Sequence, residues 1–391
     1  MIAGLRTALL VSIWLAAFCV ERARAVELVD MVRTLNGMQG ELVRKGASAK
    51  DATSKQFEDI EQAIIAADAS SWKESRNARA AATFLLCGGS HRAIRKIVDA
   101  NLFSERDLPL ISGSLAYAEG RKQDAAKLLL SIDPRAQPVT LGGHLALIQG
   151  GLLIGVDNAR AQELFDLARL LMPSSLVEEA ALRREISIVD ALHAPDKFLL
   201  LGRRYVTQYG KSPFARNFWN EAGAVTLRVA LNIEEQRLTE FQELFKDGAP
   251  ATKFEVYMSV ARVAILNARV ALAAAQTRRA EPFADTETAK KRLKLYSAAI
   301  EALSGDFEDA TAIIQQIDTR AFSRGDLEMR EIVTAAVKRL QSLAESDTPA
   351  ASVVASMQEP LNRSQSDTSV EASARQALAD SEALLQRASR Q

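Results

Sequence analysis

Residues 145–173 read LALIQGGLLIGVDNARAQELFDLARLLMP and predict two helices joined by a short turn. In the second half, Ala161, Phe165 and Ala168 recur at intervals of four and three, which places them on one helix face. A small residue at Ala161 lets the two helices approach closely, and Phe165 fills the space toward a neighbouring pair. Pro173 ends the second helix because proline removes a backbone donor. This stretch therefore predicts a tightly packed helix pair.

Two further stretches repeat this scheme along the chain. Residues 111–134, ISGSLAYAEGRKQDAAKLLLSIDP, turn at Gly120, and residues 296–318, YSAAIEALSGDFEDATAIIQQID, turn at Gly305. Helix pairs that recur at roughly 35 residues are typical of tetratricopeptide-like repeats. The sequence therefore predicts an all-α fold, an α-solenoid of tetratricopeptide-like helix pairs. An irregular helical bundle is the alternative.

The rest of the ordered chain also shows helical periodicity, without a convincing series of alternating strands. A helix is predicted over 176–193, and a single long, Ala-rich helix over 253–275. A break is predicted at 281–285, followed later by a capping helix over 326–343.

Residues 1–25 have the features of a secretory signal peptide. Arg6 supplies a positive charge, residues 9–20 form an apolar core, and residues 23–25 (Ala-Arg-Ala) fit the small-x-small cleavage pattern. The apolar core is shorter than the roughly 20 residues that a membrane-spanning helix needs. We therefore expect an exported protein that begins near Val26, with an uncleaved N-terminal anchor as the alternative.

The composition excludes several classes of partner. Apolar residues make up 48% of the chain and aromatic residues 6%, so the apolar mass is mostly Ala and Leu. Acidic and basic residues number 49 each, and loss of the signal peptide leaves 46 basic and 48 acidic residues. This balance attracts neither nucleic acid nor an anionic membrane surface. Cys87 would then be the single cysteine, so no intramolecular disulfide can form, and its apolar surroundings predict a buried thiol.

Residues 345–391 differ from the predicted helical-repeat domain at 26–344. They mix Ser, Asp, Gln and Ala and contain no aromatic residue, so they cannot bury enough surface to offset chain entropy. We predict a low-complexity, largely disordered tail. Within it, residues 376–388 are predicted to be a frayed tail, and the alternative, through Leu378, Leu384 and Leu385, is a transient amphipathic helix that serves as a docking element.

The sequence carries no pattern of catalytic or metal-binding residues. His91, His144 and His193 are scattered and lack the spacing of metal ligands. Phosphate-binding loops, nucleophile elbows and HExxH motifs do not occur. Glu179 and Arg183 are predicted to form an ordinary surface pair, four residues apart on a helix. We therefore predict a protein that is not an enzyme and binds no cofactor or metal, with a hydrolase of unrecognised site as the alternative.

Two central stretches resemble a known family. Residues 176–191, LVEEAALRREISIVDA, and residues 203–218, RRYVTQYGKSPFARNF, closely resemble the MotC family of periplasmic motility proteins. Residues 31–39, MVRTLNGMQ, and residues 86–94, LCGGSHRAI, lie in comparable places. The resemblance implies a periplasmic protein that binds the periplasmic part of the stator protein MotB and supports flagellar motor rotation. It implies no catalytic residue.

Five residues of these stretches are the candidate partner contacts. Arginine and aromatic side chains are enriched where protein interfaces gain most of their affinity. The candidates are Arg203, Arg204, Tyr205, Tyr209 and Phe214. The alternative is that the aromatic rings belong to the core and the arginines to a solvated helix face. A helical-repeat scaffold that coordinates cell-envelope or division enzymes is the alternative function.

Overall fold

The computed structural model describes residues 28–45, 50–305 and 307–344, and these residues form seventeen α-helices. They contain no strand, so the predicted all-α class is confirmed. No helix in these ranges is long and apolar enough to cross a membrane. The predicted signal peptide at 1–25 and the predicted tail at 345–391 lie outside the described residues.

The helices are numbered in chain order. They are α1 (28–45), α2 (Lys50–Ala66), α3 (Ser75–Leu86), α4 (Arg92–Asp99), α5 (Leu108–Ala118), α6 (Lys122–Leu129), α7 (Val139–Leu153), α8 (Asn158–Leu171), α9 (Leu176–Ile188), α10 (Pro195–Tyr209), α11 (Ala215–Val229), α12 (Glu235–Glu243), α13 (Pro250–Leu266), α14 (Val270–Ala280), α15 (Glu287–Ser304), α16 (Phe307–Gln316) and α17 (Arg324–Ala344). Three short 3-10 helices lie among them, at Ala69–Lys73, Pro134–Ala136 and Glu281–Phe283.

The chain divides into two compact units. Of the described residues, the first unit contains 28–45, 50–190 and 196–222, and the second contains 191–195, 223–305 and 307–344. Among the largest buried side chains of the first unit are Trp72, Phe84 and Phe165. The core of the second unit includes Met258, Tyr296 and Met329.

Helices α7 and α8 form the predicted helix pair in the first unit. Ala161, Phe165 and Ala168 are all fully buried. A Cβ added at Gly150 of α7 would lie only 2.8 Å from the Phe165 ring, so the two helices approach as closely as a glycine permits. Asp157 begins α8 by accepting a hydrogen bond from the Arg160 backbone N–H at 2.9 Å.

The other two predicted pairs are also present. In the first unit α5 packs against α6, and the turn between them contains Gly120 with a left-handed φ of 77°. In the second unit α15 packs against α16, and Gly305 ends α15 with a φ of 102°. A positive φ costs glycine little, which explains why both turns contain one.

The prediction of one long helix over 253–275 is wrong. The chain forms α13 and α14 instead, which pack against each other across a turn at Asn267, Ala268 and Arg269. Ala268 adopts a left-handed φ of 53°, and the Asn267 side chain donates to the Val263 carbonyl at 2.8 Å. The turn contains neither glycine nor proline, so the alanine-rich sequence hides it. The helix predicted over 176–193 is likewise shorter, and His193 lies in the turn before α10.

Replacing Gly142 with alanine is expected to destabilise the first unit by about 1–3 kcal/mol, the usual cost of overpacking a core. A Cβ at Gly142 would lie 2.4 Å from the Pro134 carbonyl oxygen, which belongs to the backbone and cannot rotate away. The measurement is urea denaturation followed by tryptophan fluorescence. Trp72 and Trp219 both lie in the first unit, and the third tryptophan, Trp14, lies in the predicted signal peptide.

The matched control is the same substitution at Gly37 in α1. No atom lies within 4 Å of a Cβ added at Gly37, so alanine there should stabilise the helix by up to about 1 kcal/mol. Equal effects at the two positions would show that the approach of α7 to the Pro134–Ala136 turn does not restrict side-chain size.

Candidate partner-binding site

The candidate site is built around two carboxylates in the first turn of α9. Ser175 caps this helix, and its Oγ accepts hydrogen bonds from the backbone N–H groups of Val177 and Glu178 at 3.1 and 3.3 Å. Glu178 and Glu179 follow, and their exposed fractions are 3% and 0%. The positive end of the helix dipole favours carboxylates in this turn. The predicted pair of Glu179 and Arg183 is present, with Arg183 Nε 3.3 Å from Glu179 Oε1, but its placement on the surface is wrong because Glu179 is completely buried.

Glu178 joins α9 to α10 through several charge-assisted hydrogen bonds. Arg204 donates to it twice, from Nε at 2.7 Å and from Nη2 at 3.1 Å, and the Tyr209 hydroxyl donates at 2.8 Å. The backbone N–H of Ser174, which has a left-handed φ of 57°, donates at 2.6 Å. Desolvation acts to raise the pKa of Glu178, but the hydrogen bonds from Arg204, Ser174 and Tyr209 outweigh it and lower the pKa.

Glu179 makes a parallel connection to α10. The Tyr205 hydroxyl donates to it at 2.6 Å, Arg183 Nε at 3.3 Å, and the Ser212 hydroxyl at 3.5 Å. Its second oxygen has no hydrogen-bond partner among the described residues. Desolvation, and then the neighbouring Glu179 carboxylate, raise the pKa of Tyr205, so this hydroxyl stays protonated and acts as a donor. We call Glu178, Glu179, Arg204, Tyr205 and Tyr209 the carboxylate clamp.

Aromatic rings pack beneath the carboxylate clamp. The Tyr205 ring stacks on Phe218 of α11 with 3.8 Å between ring centroids, and Trp219 meets Phe218 edge-on at 5.2 Å. Arg183 lies over the Phe214 ring, 5.5 Å from its centroid. The polar contacts of α9 with α10 are therefore continuous with an apolar contact between α10 and the start of α11.

The five candidate contact residues divide into buried and accessible groups. Tyr205 and Tyr209 are completely buried, so neither ring presents a surface to a partner. Arg204 and Phe214 are half-buried, one against Glu178 and the other beneath Arg183. Arg203 alone of the five is exposed to solvent.

Arg203 shares its helix face with residues that the sequence did not single out. Leu200, Arg203 and Thr207 are all exposed and lie three and four residues apart, so they form one stripe along α10. Leu200 is 64% exposed, which is high for a leucine on a helix packed against its neighbours. We call these three residues the α10 stripe, and it lies opposite the face that carries Tyr205 and Tyr209.

A second ionic network also holds α10 in the first unit. Glu185 of α9 is completely buried, and Lys197 Nζ and Arg169 Nε lie 2.8 and 3.3 Å from its carboxylate oxygens. Both bases also pair with Asp166 of α8. Desolvation raises the pKa of Glu185, although the nearby Lys197 ammonium acts to lower it. Buried carboxylates thus join α9 to α10 at both ends of α9, and the network at Glu185 also includes α8.

A polar cluster elsewhere in the first unit brings a cysteine close to a histidine. His144 Nε2 lies 3.3 Å from Cys87 Sγ and 2.6 Å from Asn36 Oδ1. Burial raises the pKa of the Cys87 thiol to about 12 and lowers the pKa of His144 to about 4. Both groups are therefore neutral at physiological pH, and a neutral thiol is a poor nucleophile. The cluster is a packing contact between α1, α3 and α7.

The described residues contain no group of three or more His, Cys, Asp or Glu side chains placed to hold a metal ion. Three of the four carboxylate oxygens of the clamp accept hydrogen bonds and both carboxylates are buried, which suits the fixing of helices. The two stretches that resemble the MotC family, 176–191 and 203–218, contact each other at the carboxylate clamp. Sequence reasoning missed Glu178 and Glu179 as the partners of Arg204 and Tyr205, because a separation of 26 residues carries no local pattern.

The fold and the site together define an all-α protein of packed helix pairs, in which a buried clamp fixes one helix and leaves its opposite face exposed. The model of the family described as "Chemotaxis protein MotC" matches residues 1–390. The chain therefore belongs to the MotC family, a family of motility proteins rather than a known family of enzymes.

A curated relative is similar over most of its length. "Chemotaxis protein MotC" of Rhizobium meliloti (strain 1021) is 28% identical to this chain over 307 residues, which cover 78% of this chain and 70% of the relative. No solved structure matches the chain.

Proposed function

We propose that this protein is a periplasmic motility protein that binds the periplasmic part of a MotB-like stator protein and supports flagellar motor rotation without catalytic turnover. Membership of the MotC family supports the motility role. The features of a signal peptide at 1–25 support export to the periplasm. The mature chain would begin near Val26, with its helical domain at 26–344 and the low-complexity tail at 345–391.

The observation that carries this proposal is the pairing of the carboxylate clamp with the α10 stripe. Tyr205 and Tyr209 fix one face of α10 against Glu179 and Glu178, which leaves the opposite face exposed in a single orientation. A surface that is ordered before binding loses less entropy when a partner docks. We therefore assign the partner contact to Leu200, Arg203 and Thr207, and give Tyr205, Tyr209 and Arg204 the role of positioning them.

The same proposal extends to the arrangement of the helix pairs. Close packing of α5 on α6, of α7 on α8 and of α15 on α16 supports stacking of successive pairs as an α-solenoid. Such stacking creates an extended surface of the kind that repeat proteins use to bind a partner.

The test is calorimetric titration of the mature chain with the periplasmic fragment of the stator protein from the same organism. We expect saturable binding of micromolar or tighter affinity. Absence of binding, with both fragments shown to be folded, would favour the alternative of a scaffold for cell-envelope enzymes.

Within this experiment, the double variant Leu200→Asp/Arg203→Glu is expected to weaken binding at least tenfold, or about 1.4 kcal/mol. Both side chains are exposed, so the substitutions should leave the fold intact. The control is Arg92→Glu, which reverses an exposed arginine on α4 of the same unit. Equal affinities of the double variant and the control would exclude the α10 stripe as the contact.

A further inference from the structure

The second unit contains a groove, lined mainly by aliphatic residues but with polar surface as well, between the end of α11, the start of α12 and the start of α14. Its volume is about 360 Å³, at the low end of the range for ligand sites. The floor is formed by Ala230 and Leu238, which are 2% and 1% exposed. Half-buried aliphatic side chains, among them Ile233 and Leu272, form the walls. The lining therefore suits aliphatic side chains together with polar groups.

The rim of the groove carries one charge of each sign. Glu235 stands exposed in the first turn of α12, and Arg269 stands exposed immediately before α14. Between them the rim includes Ala268, whose left-handed φ of 53° is uncommon for a residue other than glycine. Strained backbone is concentrated at sites of binding and switching. The groove thus fits an amphipathic segment that carries aliphatic residues together with both acidic and basic groups.

We propose that residues 376–388 of this same chain, QALADSEALLQRA, dock in this groove as an amphipathic helix. Leu378 and Leu385 are seven residues apart and share a helix face with Leu384 beside them. These three leucines match the aliphatic lining. The proposal is independent of the partner that the α10 stripe binds.

The charges of the segment complement those of the rim. Asp380 and Glu382 precede the leucine pair and supply the negative charge that Arg269 attracts. Arg387 follows the pair and supplies the positive charge that Glu235 attracts. In a two-fold contact Glu235 of one copy would also meet Arg269 of the other, so a second copy is the competing occupant that the experiment distinguishes.

The length of the connecting chain allows the segment to reach the groove. Helix α17 ends at Ala344 in the second unit, and about 30 residues separate it from residue 376. A flexible chain of that length has an end-to-end distance of about 30 Å. A compact unit of this size has a radius of gyration of about 14 Å, so every part of its surface lies within reach. Tethering raises the effective concentration of the segment to about the millimolar range, which makes a weak docking contact sufficient.

The experiment is hydrogen exchange of the chain from Val26 onward, read at the backbone amides of residues 268–272. We expect exchange there to be several-fold slower in the wild type than in the variant Leu384→Asp/Leu385→Asp. The matched control is Val353→Asp/Val354→Asp, which introduces two charges elsewhere in the tail and should keep the slow exchange of the wild type. Equal exchange in all three proteins would overturn the proposal. Protection that rises with protein concentration and survives Leu384→Asp/Leu385→Asp would identify a second copy as the occupant and would also overturn it.

A second measurement covers the case in which the leucine variant loosens the whole unit. In a Cys87→Ser background, Ala271→Cys combined with Ser381→Cys should form an intramolecular disulfide on mild oxidation. The combination of Ala271→Cys with Ser352→Cys should form it much more slowly. Equal rates for the two combinations would exclude specific docking of the segment.

Discussion

Glu178→Ala is expected to lower the free energy of unfolding of the first unit by about 3 kcal/mol. Removing one partner of a buried ion pair costs about 3–5 kcal/mol, because the remaining groups lose their acceptor. Here the Tyr209 hydroxyl is completely buried and would be left without its carboxylate. The side chain of Arg204 is 39% exposed and can recover part of its solvation, which sets the loss at the lower end of the range. Urea denaturation followed by tryptophan fluorescence measures the change, since Trp219 packs beside the carboxylate clamp.

The control for this substitution is Glu163→Ala. Glu163 pairs with Arg160 on the surface of α8, and its side chain is 67% exposed. Surface ion pairs contribute little to stability, so this variant should unfold close to the wild type. If Glu178→Ala and Glu163→Ala unfolded at the same urea concentration, the carboxylate clamp would have no part in fixing α9 against α10.

Acidification from pH 7 to pH 4 is expected to remove about 3 kcal/mol of stability from the first unit through His144. Desolvation lowers the pKa of His144 from 6.5 to about 4, so the folded protein keeps the ring neutral while the unfolded chain takes up a proton. Each pKa unit corresponds to about 1.4 kcal/mol. Between pH 6.5 and pH 4 the unfolded state therefore binds the extra proton, and stability falls as the pH falls. Above pH 6.5 the full contribution of the neutral His144 to stability is present.

The groups that face His144 are Cys87, which follows α3, and Asn36 of α1, and neither carries a charge in this range.

The comparison that isolates this effect is the wild type against His144→Gln, each unfolded in urea at several pH values between 7 and 4. The stability advantage of the wild type should shrink steadily toward pH 4. The lowered pKa of Glu178 also causes loss in acid, but that loss starts only near the unfolded pKa of about 4.3. Parallel pH profiles for the two proteins would contradict a buried, neutral His144.

The helix pairs were predictable because their signals are local. Gly120 and Gly305 supply left-handed turns, and Ala161 with Phe165 supplies a face at helical spacing. Periodicity of this kind depends on neighbours three and four residues away, so the sequence contains it in full. The turn at Ala268 was missed because it carries no such local signal. It contains neither glycine nor proline, and the break depends on how α13 and α14 pack against each other.

The site could be predicted only in part. The stretches that contain it were recognised through a resemblance, and of the five candidates Arg203 alone is exposed. The burial of Tyr205 and Tyr209 was not evident, because a tyrosine on an amphipathic helix fits an interface and a core equally well. Glu179 was taken for a surface residue because its spacing to Arg183 is that of an ordinary surface pair. Its burial depends on Tyr205, which lies 26 residues away.

The sequence by itself determined the all-α class, the helix pairs and the family, because local periodicity and residue identity express all three. The tertiary structure decided which side of α10 is buried. Two adjacent glutamates can lie in a core only if hydrogen-bond donors stabilise their carboxylates. Here those donors come from another helix, from Arg204, Tyr205 and Tyr209. Contacts between residues so far apart in the chain leave no periodic trace. The exposed stripe of Leu200, Arg203 and Thr207 becomes visible only once the opposite face of the helix is known to be occupied.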